Sequence, residues 1–335
     1  MSQLRDERPI LLVPYVWIGD FVRCHSVVKV LKERYPFRPI DIVSSTLCAP
    51  MADYMPGVRK AIVHDIPRGR LAYKENAELA SKLKPGHYGT ALVMSRKWKA
   101  ALPAYLAGIP ERVGFVGEMR YGLLTDARYG EKALPRMIDQ CAALALPRGA
   151  KLPKDWPLPE IVVPQEEIEA WRARVGLKES GRPVVALCPG AVGPGKRWPE
   201  QRYAELAKKL TGEGIEVWVV GGPGEKKYAE LISANGRFAR DLVSNDLRNG
   251  ILQLAIASAV VSNDSGLMHI AAAIGTPTVG LFGPTSPWHW APLNPISAII
   301  EAPWRNPGDN DVRNRETGDI PVEEVFAATM KALKK

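Results

Sequence analysis

A chain of 335 residues, 46% of them hydrophobic, exceeds a single ordinary core and can fill two domains of roughly 150 residues each. Its formal charge of +9 comes wholly from residues 1 to 150, where 23 Lys and Arg face 14 Asp and Glu; residues 151 to 335 hold 22 of each. Cys24, Cys48, Cys141 and Cys188, scattered without C-x-x-C spacing, imply small buried residues in a reducing compartment and exclude a structural zinc.

The charge asymmetry points to a large polyanion meeting the first half. That partner is either nucleic acid or a phosphorylated, acidic glycolipid at an anionic membrane surface, and a merely soluble basic surface is the bland alternative. The N-terminus, MSQLRDERPILLV, is charged before a short apolar run and lacks the longer apolar core and cleavage site of a signal peptide, so a cytoplasmic protein is expected.

In chain order, Ile10 to Pro14, Ile40 to Ser44, Ala61 to His64 and Ala91 to Met94 have the character of short buried strands, with helices such as Asp20 to Arg34 between them. A Pro-rich stretch, Lys151 to Gln165, and a helix near Glu166 to Val175 form the expected linker. The strand pattern restarts at Val184 to Cys188, Glu216 to Val220, Ala259 to Ser262 and Thr278 to Phe282, and a last helix runs from Val322 to Leu333. Two successive βα arrays predict an α/β protein of two doubly wound, Rossmann-like domains facing one another across a cleft, with ligand at the carboxyl ends of the strands.

From Ser265 to Ile300 there is no Asp, Glu, Lys or Arg. Gly275, Pro277, Gly283, Pro284 and Pro287 nevertheless cut that stretch into pieces shorter than the roughly 20 residues of a membrane span. It reads as parallel-sheet core with its loops. Within it, Val260 to Pro287, VVSNDSGLMHIAAAIGTPTVGLFGPTSP, has the layout of strand, polar turn, short helix and second strand. Small residues at the helix start, Ser265 and Gly266, free backbone N–H groups for an anion, and the Asp264 carboxylate beside them can accept bonds from hydroxyls. That combination suits a sugar diphosphate.

This segment resembles the nucleotide-sugar signature of the lipopolysaccharide heptosyltransferases of glycosyltransferase family 9, D-S/T-G-L-x-H-I/L-A-A-A followed by a strand and a G-P-T/S-x-P loop. The resemblance extends to Trp17-Ile18-Gly19-Asp20, to Gly117-Glu118-Met119-Arg120-Tyr121-Gly122-Leu123-Leu124 and to Lys196-Arg197-Trp198-Pro199. The middle motif and Ala191-Val192 are similar to the branch of the family that adds the second heptose. The resemblance implies the glycosyltransferase-B (GT-B) architecture, with an acceptor-binding domain over residues 1 to 160 and an ADP-heptose-binding domain over 161 to 320. A terminal helix over 321 to 335 is expected to pack back on the first domain. It also implies an inverting transfer from ADP-L-glycero-D-manno-heptose to heptose I of an inner core, Hep-Kdo2-lipid A. The expected location is peripheral, at the cytoplasmic face of the inner membrane.

Individual residues keep two readings. Asp20 follows the first strand and is either a helix cap or, as the resemblance implies, the base that takes the acceptor proton. Lys196, in a Gly-rich loop before a helix, is a solvated lysine or the cation that holds the diphosphate and stabilises charge growing on ADP; Arg197 is a weaker candidate. Glu225 follows another strand end, as a first-turn carboxylate favoured by the helix dipole or a partner of the ribose hydroxyls. By resemblance Asp264 holds heptose hydroxyls and Ser265 and Gly266 hold phosphate, while His269 stands between a structural and a ligand-contacting role. Arg96, Lys97, Lys99 and Arg120, with Arg112 and Arg128 nearby, form a basic set suited to carboxylates and phosphates of the acceptor. Asp309-Asn310-Asp311 resembles a D-x-D metal motif, but it lies in a polar loop without a preceding strand, so no metal and no other cofactor are expected. Two rival functions remain, a sugar-nucleotide 2-epimerase of the same fold and a basic nucleic-acid-binding protein, the latter weakened because only Trp98 interleaves with Arg96, Lys97 and Lys99.

Overall fold

The computed structural model describes residues 7–67, 72–234, 236–305 and 311–334. The chain divides into two compact units, with the boundary between Pro159 and Glu160. On one side Trp156 is buried and its indole N–H donates to Asp139 Oδ1 at 2.7 Å; on the other the Ile161 amide donates to Ala273 O at 2.9 Å. Each end of the Pro-rich stretch is therefore anchored to its own unit.

The first unit contains β1 (Ile10–Val13), α1 (Ile18–Arg34), β2 (Ile40–Ser44), α2 (Ala49–Ala52), β3 (Val58–Val63) and α3 (Tyr73–Leu83). β4 (Thr90–Val93), α4 (Trp98–Leu106), β5 (Glu111–Phe115), β6 (Asp126–Arg128) and α5 (Met137–Ala142) complete it. All strands run parallel in the order β3-β2-β1-β4-β5-β6. β1 and β4 are buried along their whole length, which is why they read as continuous apolar runs. The buried Asp41 of β2 is matched by a fork of two 2.7 Å bonds from Arg59 and one of 2.6 Å from Tyr88, as a buried carboxylate requires.

The second unit contains α6 (Gln165–Val175), β7 (Val184–Cys188), α7 (Glu200–Gly212), β8 (Glu216–Val219), α8 (Lys226–Ser233), β9 (Arg240–Asp241) and α9 (Leu247–Ile256). β10 (Ala259–Asn263), α10 (Gly266–Ile274), β11 (Thr278–Phe282), α11 (Pro287–Trp290), β12 (Ala298–Glu301) and α12 (Val322–Ala332) follow. Its sheet is again parallel, in the order β12-β11-β10-β7-β8-β9. In both sheets the chain reverses its direction of winding beside the first strand, the switch point at which such sheets bind ligands.

The structure adds to the sequence reading in three places. β5, β6, β9 and β12 are real strands that apolar runs did not reveal, because they are short or carry charges such as Glu111, Arg112, Asp126 and Arg240. β3 begins at Val58 because an outer strand tolerates the exposed Arg59 and Lys60. The last helix is built into the second unit: Val322, Val325 and Ala332 of α12 share one core with Leu206 and Leu210 of α7, Val261 of β10 and Ile300 of β12. An amphipathic helix buries whichever apolar face lies next to it, and here that face belongs to its own sheet.

Gly283, just beyond β11, is the tightest backbone approach in this unit. A Cβ there would lie 2.2 Å from the Thr317 amide nitrogen, and a backbone neighbour has little room to yield. Gly283→Ala is expected to lower the urea-unfolding stability of this unit by about 2 kcal/mol. Gly212→Ala, at the end of α7 with nothing within 4 Å, should be neutral or stabilising by about 0.5 kcal/mol; equal effects of the two changes would refute the steric reading.

Candidate functional site

In the second unit the carboxyl ends of β7, β10 and β11 carry the residues singled out from sequence. The connection after β7 runs through Gly190, Gly193 and Gly195 to Lys196, whose Nζ lies 2.7 Å from Asp264 Oδ2. Asp264, directly after β10, is 8% exposed. The same oxygen accepts a 2.8 Å bond from the hydroxyl of Thr285 in the loop after β11. Three strand ends thus meet at one carboxylate. The loop after β12 braces this arrangement, since the Thr317 amide donates to Gly195 O at 2.9 Å.

Ser265 caps α10 with extended backbone, and Gly266 is the first helical residue. Their amides begin the helix, where N–H groups have no partner within it. His269 lies on α10 and is 5% exposed, so its imidazole is largely inside the unit. Glu225 precedes α8 and accepts the Gly222 amide at 3.0 Å, with Arg197 Nη2 4.0 Å from its other oxygen. Arg197 is itself fixed by a 2.9 Å bond to Ala191 O, a 2.8 Å bond to Tyr228 OH and stacking over that ring. Lys196, Asp264, Ser265 and Gly266 are therefore brought together, and Glu225 with Arg197 forms a second polar group at the neighbouring ends of β7 and β8.

The sequence reading missed the residue beneath this group. Asn263, fully buried at the end of β10, accepts the Trp198 amide at 3.1 Å and the Tyr203 hydroxyl at 3.1 Å, and donates to Pro189 O at 2.8 Å. It joins β10, the loop after β7 and α7, and so holds Lys196 opposite Asp264. An Asn inside the apolar run AVVSN was the available signal, since a buried amide needs partners from other elements. Burial pushes the thiol of Cys188 and the phenol of Tyr203 upward, so both stay neutral packing groups at physiological pH.

In the first unit Asp20 occupies the third position of α1, and the residue at the N-cap is Trp17. Asp20 is 8% exposed, and Arg23, one turn on, approaches its Oδ1 at 3.4 Å. A first-turn acid is favoured by the helix dipole.

The basic set separates into two groups. Arg96, Lys97 and Lys99 follow β4 at the carboxyl edge; Arg96 pairs with Glu131 at 2.5 Å and Lys97 with Glu118 at 3.5 Å. Arg120 is corrected: it is 2% exposed, and its guanidinium donates to Phe115 O and, at 2.5 Å, to Ser95 O. Burial lowers its pKa to about 10, leaving it charged but committed to main-chain carbonyls. The loop after β5 carries Glu118 and Met119 in the left-handed region, at φ 45° and 52°, and Arg120 supplies the donors that such an irregular backbone lacks. Arg112 and Arg128 are likewise given to carbonyls, of Ile109 and Leu123 and of Ala143 and Leu146.

Asp309 and Asn310 lie outside the described residues. Asp311, the third residue of that motif, is bonded to Arg313, which lowers its carboxyl to about 2. Among the described residues no group of three or more His, Cys, Asp or Glu is placed to hold a metal ion, and no helix is long and apolar enough to cross a membrane.

Removing the buried amide tests the support of the site. Asn263→Ala strands the Trp198 amide and the Pro189 carbonyl and leaves the Tyr203 hydroxyl only its 3.3 Å contact with Cys188 O; it is expected to cost about 3 kcal/mol in urea unfolding, against about 1 kcal/mol for Tyr203→Phe, which removes the hydroxyl shared between Asn263 and Cys188. A cost below that of Tyr203→Phe would show that Asn263 holds nothing in place.

Residues 76–317 match the model of glycosyltransferase family 9 (heptosyltransferase). The chain is 38% identical over 304 residues to lipopolysaccharide heptosyltransferase 2 of Salmonella typhimurium, covering 87% of each chain, and 37% identical over the same length and coverage to that of Escherichia coli K12. It superposes on the structure of E. coli ADP-heptose lipopolysaccharide heptosyltransferase II with a TM-score of 0.85 at 34% identity, over 97% of this chain and 98% of the other. A glycosyltransferase family 9 structure from Veillonella parvula, at 18% identity and a TM-score of 0.83, shares the fold. A polar group assembled at the strand ends of a doubly wound second unit, and a match over most of the chain, place this protein in glycosyltransferase family 9, the heptosyltransferases, as a glycosyltransferase of GT-B fold.

Proposed function

We propose that this protein transfers L-glycero-D-manno-heptose, with inversion, from ADP-heptose to heptose I of a lipopolysaccharide inner core, Hep-Kdo2-lipid A, at the cytoplasmic face of the inner membrane. The observation that carries the proposal is the meeting of Lys196, Asp264 and Thr285 at the ends of β7, β10 and β11, in a chain 35–38% identical to proteins named heptosyltransferase 2. The epimerase and nucleic-acid readings are not favoured by those relatives.

In this reading the acceptor hydroxyl oxygen attacks the anomeric carbon from the face opposite ADP. The new C–O bond forms as the bond to the β-phosphate oxygen breaks, and the electron pair leaves with ADP. Asp20 takes the hydroxyl proton, and a carboxylate of ordinary basicity serves because the proton is lost late. Lys196 and the amides of Ser265 and Gly266 meet the diphosphate, whose charge grows as the sugar departs, so they bind the transition state more tightly than the substrate. Asp264 accepts bonds from heptose hydroxyls, Glu225 from ribose hydroxyls, and His269 on α10 is the further candidate for ligand contact. Asp264 also keeps Lys196 neutralised until the donor's phosphates replace it as partner. Arg96, Lys97 and Lys99 meet acidic groups of the acceptor and the anionic membrane surface. No metal or other cofactor enters the scheme.

Mass spectrometry of the acceptor glycolipid incubated with protein and ADP-heptose should show the gain of one heptose. Consumption of ADP-heptose without acceptor, followed by nuclear magnetic resonance, would instead support the epimerase. Asp20→Asn is expected to lower turnover about a hundredfold with little change in ADP affinity. Lys196→Ala should weaken ADP binding in calorimetry and slow transfer as well; unchanged ADP affinity would remove Lys196 from the site. Reversing Lys97 and Lys99 to Glu should raise the acceptor KM and leave donor binding unaltered. Salt raised from about 0.05 to 0.5 M should weaken acceptor use more than ADP binding, because the Debye length falls to about 4 Å. Equal salt sensitivity of the two ligands, or tight binding to arbitrary DNA, would count against the glycolipid.

A further inference from the structure

We propose that Glu131, a residue outside every motif of the family resemblance, is a positioning residue that aims the Arg96 guanidinium at an anionic group of the acceptor; the proposal rests on the transfer reaction inferred above. Four connections leave the carboxyl edge of the first sheet here, and two of them, through Tyr15 and Arg96, meet this carboxylate. Tyr15 follows β1, Arg96 follows β4, the loop of residues 116 to 124 follows β5, and Glu131 follows β6. Glu131 is 8% exposed; its Oε2 lies 2.5 Å from Arg96 Nε, and its Oε1 accepts the Tyr15 hydroxyl at 3.3 Å.

As a device for stability this pairing is poor. Burial raises the Glu131 pKa above the usual carboxylate range, against the pull of Arg96. A desolvated carboxylate facing a half-exposed arginine regains little of what its burial costs. What the pairing supplies is direction. The inner nitrogen of Arg96 lies in an ion pair 2.5 Å from Glu131 Oε2, while the side chain remains 44% exposed. The stem is confined as well, since a Cβ at Gly117 would lie 2.7 Å from Arg96 Cβ. A guanidinium held in this way presents its fork to a phosphate or carboxylate with less ordering still to be done on binding. The Tyr15 bond adds a link to the reacting end, because Tyr15 lies on the same β1 to α1 connection that leads into Asp20. Arg120 cannot substitute for Arg96, since its own donors are taken by Phe115 and Ser95.

The test combines kinetics with a measurement that needs no acceptor. Glu131→Gln keeps the shape and removes the charge. It is expected to raise the acceptor KM about tenfold, change kcat less than twofold, and leave ADP affinity and the unfolding midpoint unaltered. In an Arg96→Ala background the same change should have no further effect on KM, because residues acting through one another are non-additive, and Glu131→Asp should restore part of the loss. Nitrogen-15 NMR of the wild-type protein should show a slowly exchanging Arg96 Nε–H that becomes fast in Glu131→Gln. An unchanged KM, effects of Glu131→Gln and Arg96→Ala that multiply in full, or an Arg96 Nε–H already in fast exchange would overturn the proposal. A wild-type protein that transfers nothing to the glycolipid, with the slow Nε–H present, would sink the reaction and the acceptor role together while leaving the contact itself established.

Discussion

Parallel strands buried on both faces allow polar chemistry to gather at one place in each unit, the carboxyl edge of the sheet. Side chains along β1, β4, β7, β10 and β11 are enclosed, so a charge within the sheet would lose its hydration without a partner. At the edge the chain leaves regular structure, backbone amides come free and water is near. Asp20, Arg96, Glu131, Lys196, Glu225 and Asp264 all lie on connections that leave such an edge. The same constraint repeats in both units because the same winding does.

Charge at these edges is held rather than dispersed. Lys196 and Asp264 are a short pair at 2.7 Å with the carboxylate mostly buried, and Thr285 completes its coordination. Asn263 lies one residue before it in the chain and fixes the opposing loop through three bonds. Lys196 is thereby already oriented at the strand ends, with no distant side chain to be brought into place. In the first unit the basic set is less free than its count suggests: Arg112, Arg120 and Arg128 serve as donors to loop carbonyls, and of that set Arg96 and Lys97 are exposed.

The alternation of strands and helices in two arrays and the apolar central strands were legible in the sequence, because a strand enclosed on both faces must be apolar throughout. So were Asp20, Lys196, Glu225 and Asp264 as candidates, since each is a charged residue in the stretch from a strand-like run to the first turn of the helix that follows it. The outer strands β5, β6, β9 and β12 were not legible, because a short edge tolerates charge and loses its pattern. Which arginine faces outward was equally hidden: Arg96 and Arg120 are alike in sequence, and only the carbonyls of Phe115 and Ser95 decide that one of them is structural. The placement of α12 with its own sheet depended on which apolar surface lay within reach, and Glu131 and Asn263 acquire meaning only from partners 35 to 116 residues away. Local pattern records whether a residue is enclosed; the identity of its partners is a long-range fact that the folded chain alone supplies.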